Sequence, residues 1–235
     1  MSFVHSPKIV TDGLVLALDA GNTKSYPGSG TTWFDKSGNA RNGTLTNGPT
    51  FSSANGGSIV FDGADDYTAI QYTPILDPTI ISFNSWAYSL NWIAKTDNQK
   101  IFSKTQSGGY AFGTSIFTAN SIEFIVYVGG AYRSTVYPLS SLALGWVNFQ
   151  GTFDGRYMNL YVNSILVNSY DYGSLSNITY SNATQLIIGA EPGFGTSIDG
   201  NYFGGNIALT SIYNRALSST EVLQNFNALR GRYRI

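Results

Sequence analysis

The chain has 235 residues, enough for one β domain with a substantial core, and its 43% hydrophobic content is that of a globular protein. Charged residues make up only 11% and the formal net charge is −1, so the clustered cations that grip nucleic-acid phosphates are missing. There is no cysteine, which excludes disulfides, thiolate metal sites and cysteine nucleophiles. The 26 glycines, 16 tyrosines and 14 phenylalanines favour strands and tight turns over solvated helices.

In chain order, an N-terminal arm over residues 1–12 precedes a single domain over residues 13–235. The opening "MSFVHSPKIV" lacks a basic segment followed by an apolar one, and no apolar run approaches the roughly 20 residues of a membrane span. The expectation is a soluble, cytoplasmically made protein with no membrane contact. Phe3, Val4, Ile9 and Val10 of the arm suit either an interface strand or the first strand of the domain.

"GLVLALD" (13–19) is the first clear strand of the domain. The polar, glycine-rich stretch from Gly21 to Gly57 is long but lacks the repetition of a linker. "SIVFD" (58–62) and "YTAIQY" (67–72) flank an aspartate cluster. "IISFNSWAYSL" (80–90) puts Ile81, Phe83, Ser85, Ala87 and Ser89 on one face and Ser82, Asn84, Trp86 and Tyr88 on the other. "KIFSK", "YAFGT" and "SIEFIVYVG" come next, and Gly129-Gly130 turns the last into "YRSTVY". "GWVNFQGTF", "YMNLYVN", "ILVNSYD", "QLIIGAE" and "NIALTSIYN" complete the strands, with turns at 153–156 and at Asn163-Ser164. About a dozen short strands with little helical periodicity predict an all-β, antiparallel β-sandwich.

One segment differs. Ser218 with Glu221 three residues on is a capping-box spacing, and Val222, Leu223, Phe226 and Leu229 recur at helical intervals. One short C-terminal helix over 219–230, stopped by Gly231, is predicted. The tail "RGRYRI" then reads as a solvated chain end, or alternatively as a docking tail.

Catalytic sets are sparse. His5 is the only histidine, which rules against a Ser-His-Asp device or a multi-histidine metal site. Glycosidases on sandwich folds need two facing carboxylates. Only Glu123, Glu191 and Glu221 exist, Glu123 has no acid beside it on its strand face, and Glu221 is used by the helix start. A non-enzyme is expected. Sugar binding needs exposed aromatic faces. Of Trp33, Trp86, Trp92 and Trp146, the strand residues Trp86 and Trp146 suit the core, and Trp92, after a strand end, is the candidate for an exposed carbohydrate platform. Asp62, Asp65 and Asp66 either close a turn by bonding its amides or, with Asp65 and Asp66 as candidate ligands, hold calcium.

"LDAGNTKSYPGSGTTWFDKSGNARNGTLTNGPTF" (18–51), "IVFDGADDY" (59–67), "GWVNFQGTFDGRYMNLYVNS" (145–164) and "GGNIALTSIYNRALSSTEVLQNFNALRGRY" (204–233) fall in the order seen in laminin-G-like, concanavalin A-like jelly-roll domains, and the chain resembles that family over residues 12–233. The version opening "SPKIVTDGLVLALDAGNTKSYPGSGTTW" is similar to domains of tailed-phage virion proteins. The resemblance implies a jelly-roll virion structural protein, a capsid decoration or tail fibre. It would be assembled in the bacterial cytoplasm, with other virion proteins, a homo-oligomer and cell-surface glycans as possible partners. A free lectin-like module is the alternative. Two departures stand out. Family members often carry paired acids where this chain has Ala208 and Leu209, which weakens the case for calcium, and Ser164 replaces a hairpin glycine.

Overall fold

The computed structural model describes residues 7–92, 94, 97–106, 108–115, 117–118, 120–173 and 176–235. His5, Phe3 and Val4 lie outside them. The strands run in chain order as β1 (Leu14–Asp19), β2 (Thr32–Trp33), β3 (Gly43–Thr46), β4 (Thr50–Ser52), β5 (Ser58–Asp62), β6 (Tyr67–Ile70), β7 (Ile81–Ser89), β8 (Gln99–Thr105) and β9 (Gly109–Ser115). Then come β10 (Ser121–Val128), β11 (Ala131–Pro138), β12 (Gly145–Phe153), β13 (Tyr157–Val162), β14 (Ile165–Asp171), β15 (Leu186–Ile188), β16 (Glu191–Pro192), β17 (Ile198–Gly200) and β18 (Gly204–Tyr213). A single α-helix, α1 (Ser219–Tyr233), completes the chain among the described residues.

Two eight-stranded antiparallel sheets form the sandwich. The first runs β14-β13-β12-β7-β18-β5-β4, with β1 also on β18, and the second runs β11-β10-β9-β8-β15-β6-β3-β2. β18 spans ten residues and serves two neighbours on one edge: Gly204–Ile207 pair with β5 and Leu209–Tyr213 with β1, with a register shift at the junction. The stretch from Gly21 to Gly57 carries no strand signal in its sequence, yet β2, β3 and β4 lie within it. Asp35 organises it. Its carboxylate accepts from the amides of Ala17 at 2.9 Å, Ser37 at 2.8 Å and Arg41 at 3.0 Å, so one short side chain ties the loop to β1.

The period-two alternation sets the core. Ile122, Phe124, Val126 and Val128 of β10 face inward and are fully buried. Phe83 of β7 sits among Phe102, Phe112 and Phe124, with ring centroids 4.7–5.1 Å apart. Gly151 makes room for this cluster, since a Cβ there would lie 2.2 Å from the Phe83 ring. The other face of β7 is buried too. Trp86 is fully covered by α1, against Phe226 and Tyr233. Beneath the helix, Asn148 donates to Asn84, and Gln150 donates both to Asn148 and to the Val222 carbonyl of α1.

The capping box is present: the Ser218 hydroxyl accepts from the Glu221 amide, and Glu221 accepts from the Ser218 amide. Three expectations about this region need correction. Gly231 does not end the helix, which runs to Tyr233 and closes on Arg234 in the left-handed region. The roughly 1 kcal/mol helix cost of a glycine is offset by the contacts of the next two residues. Tyr233 stacks on Trp86 at 4.1 Å and lies 4.6 Å from Trp146, and Arg232 donates to both carboxylate oxygens of Asp19. Within the tail, Arg232 and Tyr233 are thus packed on the body, while Arg230, Arg234 and Ile235 are exposed. Leu223 is 46% exposed, while Asn225 takes a buried place. Asn225 accepts from the Val10 amide and donates to the Tyr213 hydroxyl, fixing the end of the arm onto the body.

Asn163 and Ser164 both adopt positive φ between paired Val162 and Ile165. The two-residue hairpin survives the loss of its glycine, with Ser164 carrying the strain.

Candidate functional site

The outer face of the second sheet carries a cavity of about 330 Å³. Because side chains alternate, the residues of β10 that do not enter the core, Glu123 and Ile125, point to this face. The register sets Ile125 between Ala111 and Ser134, and Glu123 between Gly113 and Val136, with Lys100 beyond Gly113 in the same row. β11 adds Tyr132 and Ser134, the end of β8 adds Thr105 and Gln106, and Glu191 reaches in from β16.

These side chains are held. Glu191 accepts from Thr105 Oγ1 at 2.9 Å with one carboxylate oxygen and from Asn201 Nδ2 with the other. Gln106 donates to the Pro192 carbonyl and to Asp199, both at 3.0 Å, fastening the β16–β17 hairpin to β8. The Tyr132 hydroxyl donates to the Gly108 carbonyl at 3.1 Å and accepts from its amide at 3.2 Å, and its ring is packed edge-on against Tyr127. Burial raises the Tyr132 pKa, which keeps the hydroxyl a donor. Glu123 differs from the rest: it is only 8% exposed, lines the cavity, and accepts no hydrogen bond from the described residues. Phe194, 78% exposed, stands on the same hairpin as Glu191.

The sequence places Glu123 on a strand face without a second acid. The fold supplies one from β16, some 70 positions along the chain, so two of the three glutamates share one cavity. No local motif announces this; the only signal is that Glu123 falls on the non-core face of β10.

Trp92 does not form a carbohydrate platform. It is fully buried, donates from Nε1 to the Gly145 carbonyl at 3.2 Å, and packs on Phe149 and Phe203. Trp92 turns into the sandwich rather than outward. Trp33 and Trp86 are also fully buried and Trp146 is 9% exposed.

The aspartates between β5 and β6 do come together. Carboxylate oxygens of Asp62, Asp65 and Asp66 lie within 4.8 Å of one another. Two of the three acids serve the turn. Asp62 accepts from the Ala64 amide at 2.8 Å, and Asp66 accepts from the Asp62 amide at 3.0 Å. The turn amides, Ala64 first, lower the pKa of Asp62, whereas burial and then repulsion from Asp62 and Asp65 raise that of Asp66. The oxygens left over, with Asp65 and Asp66 foremost, could hold calcium, a hard ion that needs six to eight oxygens. At Ala208 and Leu209 the chain offers no further carboxylate.

Comparison with known proteins places this architecture. Residues 62–223 match the profile of the concanavalin A-like lectin/glucanases superfamily. No curated protein matches the chain. Among solved structures, it is similar to the binding domain of Paraclostridial Mosquitocidal Protein 1, with TM-score 0.68, 17% identity, and 93% of this chain and 52% of that one covered. The binding domain of botulinum neurotoxin DC in complex with rat synaptotagmin II gives TM-score 0.69, 15% identity and coverages of 94% and 52%. The botulinum neurotoxin serotype D ligand-binding domain in complex with N-acetylneuraminic acid gives 0.64, 15%, 92% and 51%. The chain spans about half the length of these structures, and at such identity they share its fold. The profile match covers more than half of the chain, which belongs to the concanavalin A-like lectin/glucanases superfamily.

Proposed function

We propose that this superfamily member is a non-enzymatic carbohydrate-recognition domain that binds glycan hydroxyls in the cavity of the second sheet. The observation that carries the reading is the cavity's lining. Carboxylate and amide acceptors (Glu123, Glu191, Gln106), hydroxyls (Thr105, Ser134) and the edges of Ile125 and Tyr132 give fixed polar groups beside an apolar surface. Structural neighbours include domains solved with a sugar and with a protein receptor, which supports recognition as the task. A glycan array probed with the intact chain tests it. Binding weakened in Glu123→Gln and lost in Tyr132→Ala is expected, and an array blank at millimolar protein would overturn it.

The resemblance of the opening stretch, residues 6–33, to domains of tailed-phage virion proteins supports a second element of the proposal: that the domain is displayed on a virion, on capsid or tail, alongside other virion proteins. Immunogold labelling of particles checks this. Protein found only free in the lysate would favour a stand-alone lectin.

The two glutamates in one cavity favour one competing reading, a glycosidase. Against it, both oxygens of Glu191 already accept bonds from fixed donors, Thr105 and Asn201, which suits a ligand-holding group better than a nucleophile. Hydrolysis of an array-positive glycan that disappears in both Glu123→Gln and Glu191→Gln would establish the enzyme instead.

A further inference from the structure

We infer that the cavity of the second sheet selects sugars bearing a free ammonium group, a non-acetylated hexosamine, and rejects acidic ones; this rests on the glycan reading of the same cavity. A carboxylate is acceptor-only, and burying one without a donor is costly. Glu123 is such a group: 8% exposed, turned into the cavity, and given no hydrogen bond by the described residues. A second carboxylate, Glu191, lines the same space.

Among the described residues no cation forms an ion pair with either glutamate. Arg133 contributes to the wall, but its guanidinium lies 5.4 Å from the ring centroid of Tyr172, on the far side of β11. Lys104 next to Thr105 points the other way, into an ion pair with Asp77 at 2.5 Å between the rings of Tyr72 and Tyr180. Lys100 shares a cross-strand row with Glu123 through Gly113, yet among the described residues it makes no ion pair with either glutamate. The missing donor is therefore a ligand's to supply. An ammonium offers three donors and a charge to Glu123, with the Tyr132 ring alongside as a further cation acceptor. A sugar carboxylate would meet two like charges in the same space.

Isothermal titration at about pH 6 compares a glucosamine tetramer, its fully N-acetylated counterpart and sialyllactose. Charge-assisted hydrogen bonds of about 1.5–3 kcal/mol correspond to roughly 10- to 150-fold. The wild type is expected to bind the free-amine tetramer at least tenfold more tightly than the acetylated one and not to bind sialyllactose. Glu123→Gln, which keeps size and shape, should erase the preference while melting as the wild type does. The wild-type preference decides the matter even if that variant fails to fold. Equal binding of the two tetramers, or tighter binding of sialyllactose, would overturn the inference and leave glycan recognition standing. Binding of neither tetramer with a positive array would do the same, and a blank array would remove both.

Discussion

Tyr233 offers the sharpest test of how the chain end is held. The residue is 5% exposed, near the C-terminal end, and stacked against two tryptophans of the first sheet. Truncating a buried aromatic costs about 3–5 kcal/mol, of which each aromatic pair supplies about 0.5–1.5 kcal/mol. A chain end can relax into part of the space, so the lower bound applies, and Tyr233→Ala should lose about 3 kcal/mol. The hydroxyl is a separate matter. It is buried without a hydrogen-bond partner among the described residues, so Tyr233→Phe removes a desolvated group and should be neutral or stabilise by up to about 1 kcal/mol. Urea unfolding followed by tryptophan fluorescence measures both, since Trp86 and Trp146 report directly on the seat. Arg232 should behave like Tyr233. Gly21 lies under its guanidinium, where a Cβ would sit 1.8 Å from Nη2, so Gly21→Ala should weaken the same end. A loss below about 1 kcal/mol for Tyr233→Ala would show that the tail is solvated and the docking argument wrong.

Three further outcomes are expected. Arg215 first, and then the Ser218 amide, hold the Glu221 pKa down at about 2. A depressed carboxylate stabilises the fold above its unfolded value and loses that contribution as pH falls from about 5 towards 2. Discounted for its partial exposure, this amounts to about 1–2 kcal/mol. Glu221→Gln should therefore differ from the wild type by that amount in urea unfolding at neutral pH and converge with it near pH 2; a gap unchanged by pH would refute the linkage. Ser164→Gly should stabilise by about 1 kcal/mol, because it relieves the positive φ of 67° in the hairpin. Thermal melts with calcium and with chelator should coincide, since the turn amides already engage Asp62 and Asp66. A calcium-dependent rise in Tm that Asp65→Asn abolishes would instead assign the ion to this cluster.

How far the fold is legible in the sequence depends on which residues carry a period. β5, β12 and β14 fall where their alternation or apolar runs put them, and β7 has the two-faced character its pattern indicates. The capping box marks the start of α1 because Ser218 and Glu221 interact within one turn. Its end is not legible. Gly231 is a local stop signal, and it is overruled by Trp86, Trp146 and Asp19, residues far away in the chain. β2, β3 and β4 are hidden for a related reason: they are short, polar strands, fixed by pairing and by the Asp35 carboxylate rather than by an apolar stripe.

The candidate site is less legible still, and the cause is geometric. Exposure after a strand end is inferred for Trp92 from its neighbours in sequence, but burial is decided by tertiary packing, and the Trp92 indole turns in to reach the Gly145 carbonyl. Conversely, Glu123 looks isolated because alternation on one strand shows only that strand. The partner acid arrives on β16, and β16 is positioned by Gln106 and Thr105 at the end of β8, through hydrogen bonds to Pro192 and Glu191. A jelly-roll face is assembled from strands distant in the chain, so a site on it is written in the register between β8, β9, β10 and β11. The same register explains why the cavity is acidic in a protein of net charge −1. Lys104, and the guanidinium of Arg133, occupy the alternate parity and are turned away from the face that Glu123 occupies. Lys100 keeps the parity of Glu123, across Gly113, so parity turns away Lys104 and Arg133 but not every cation of the sheet.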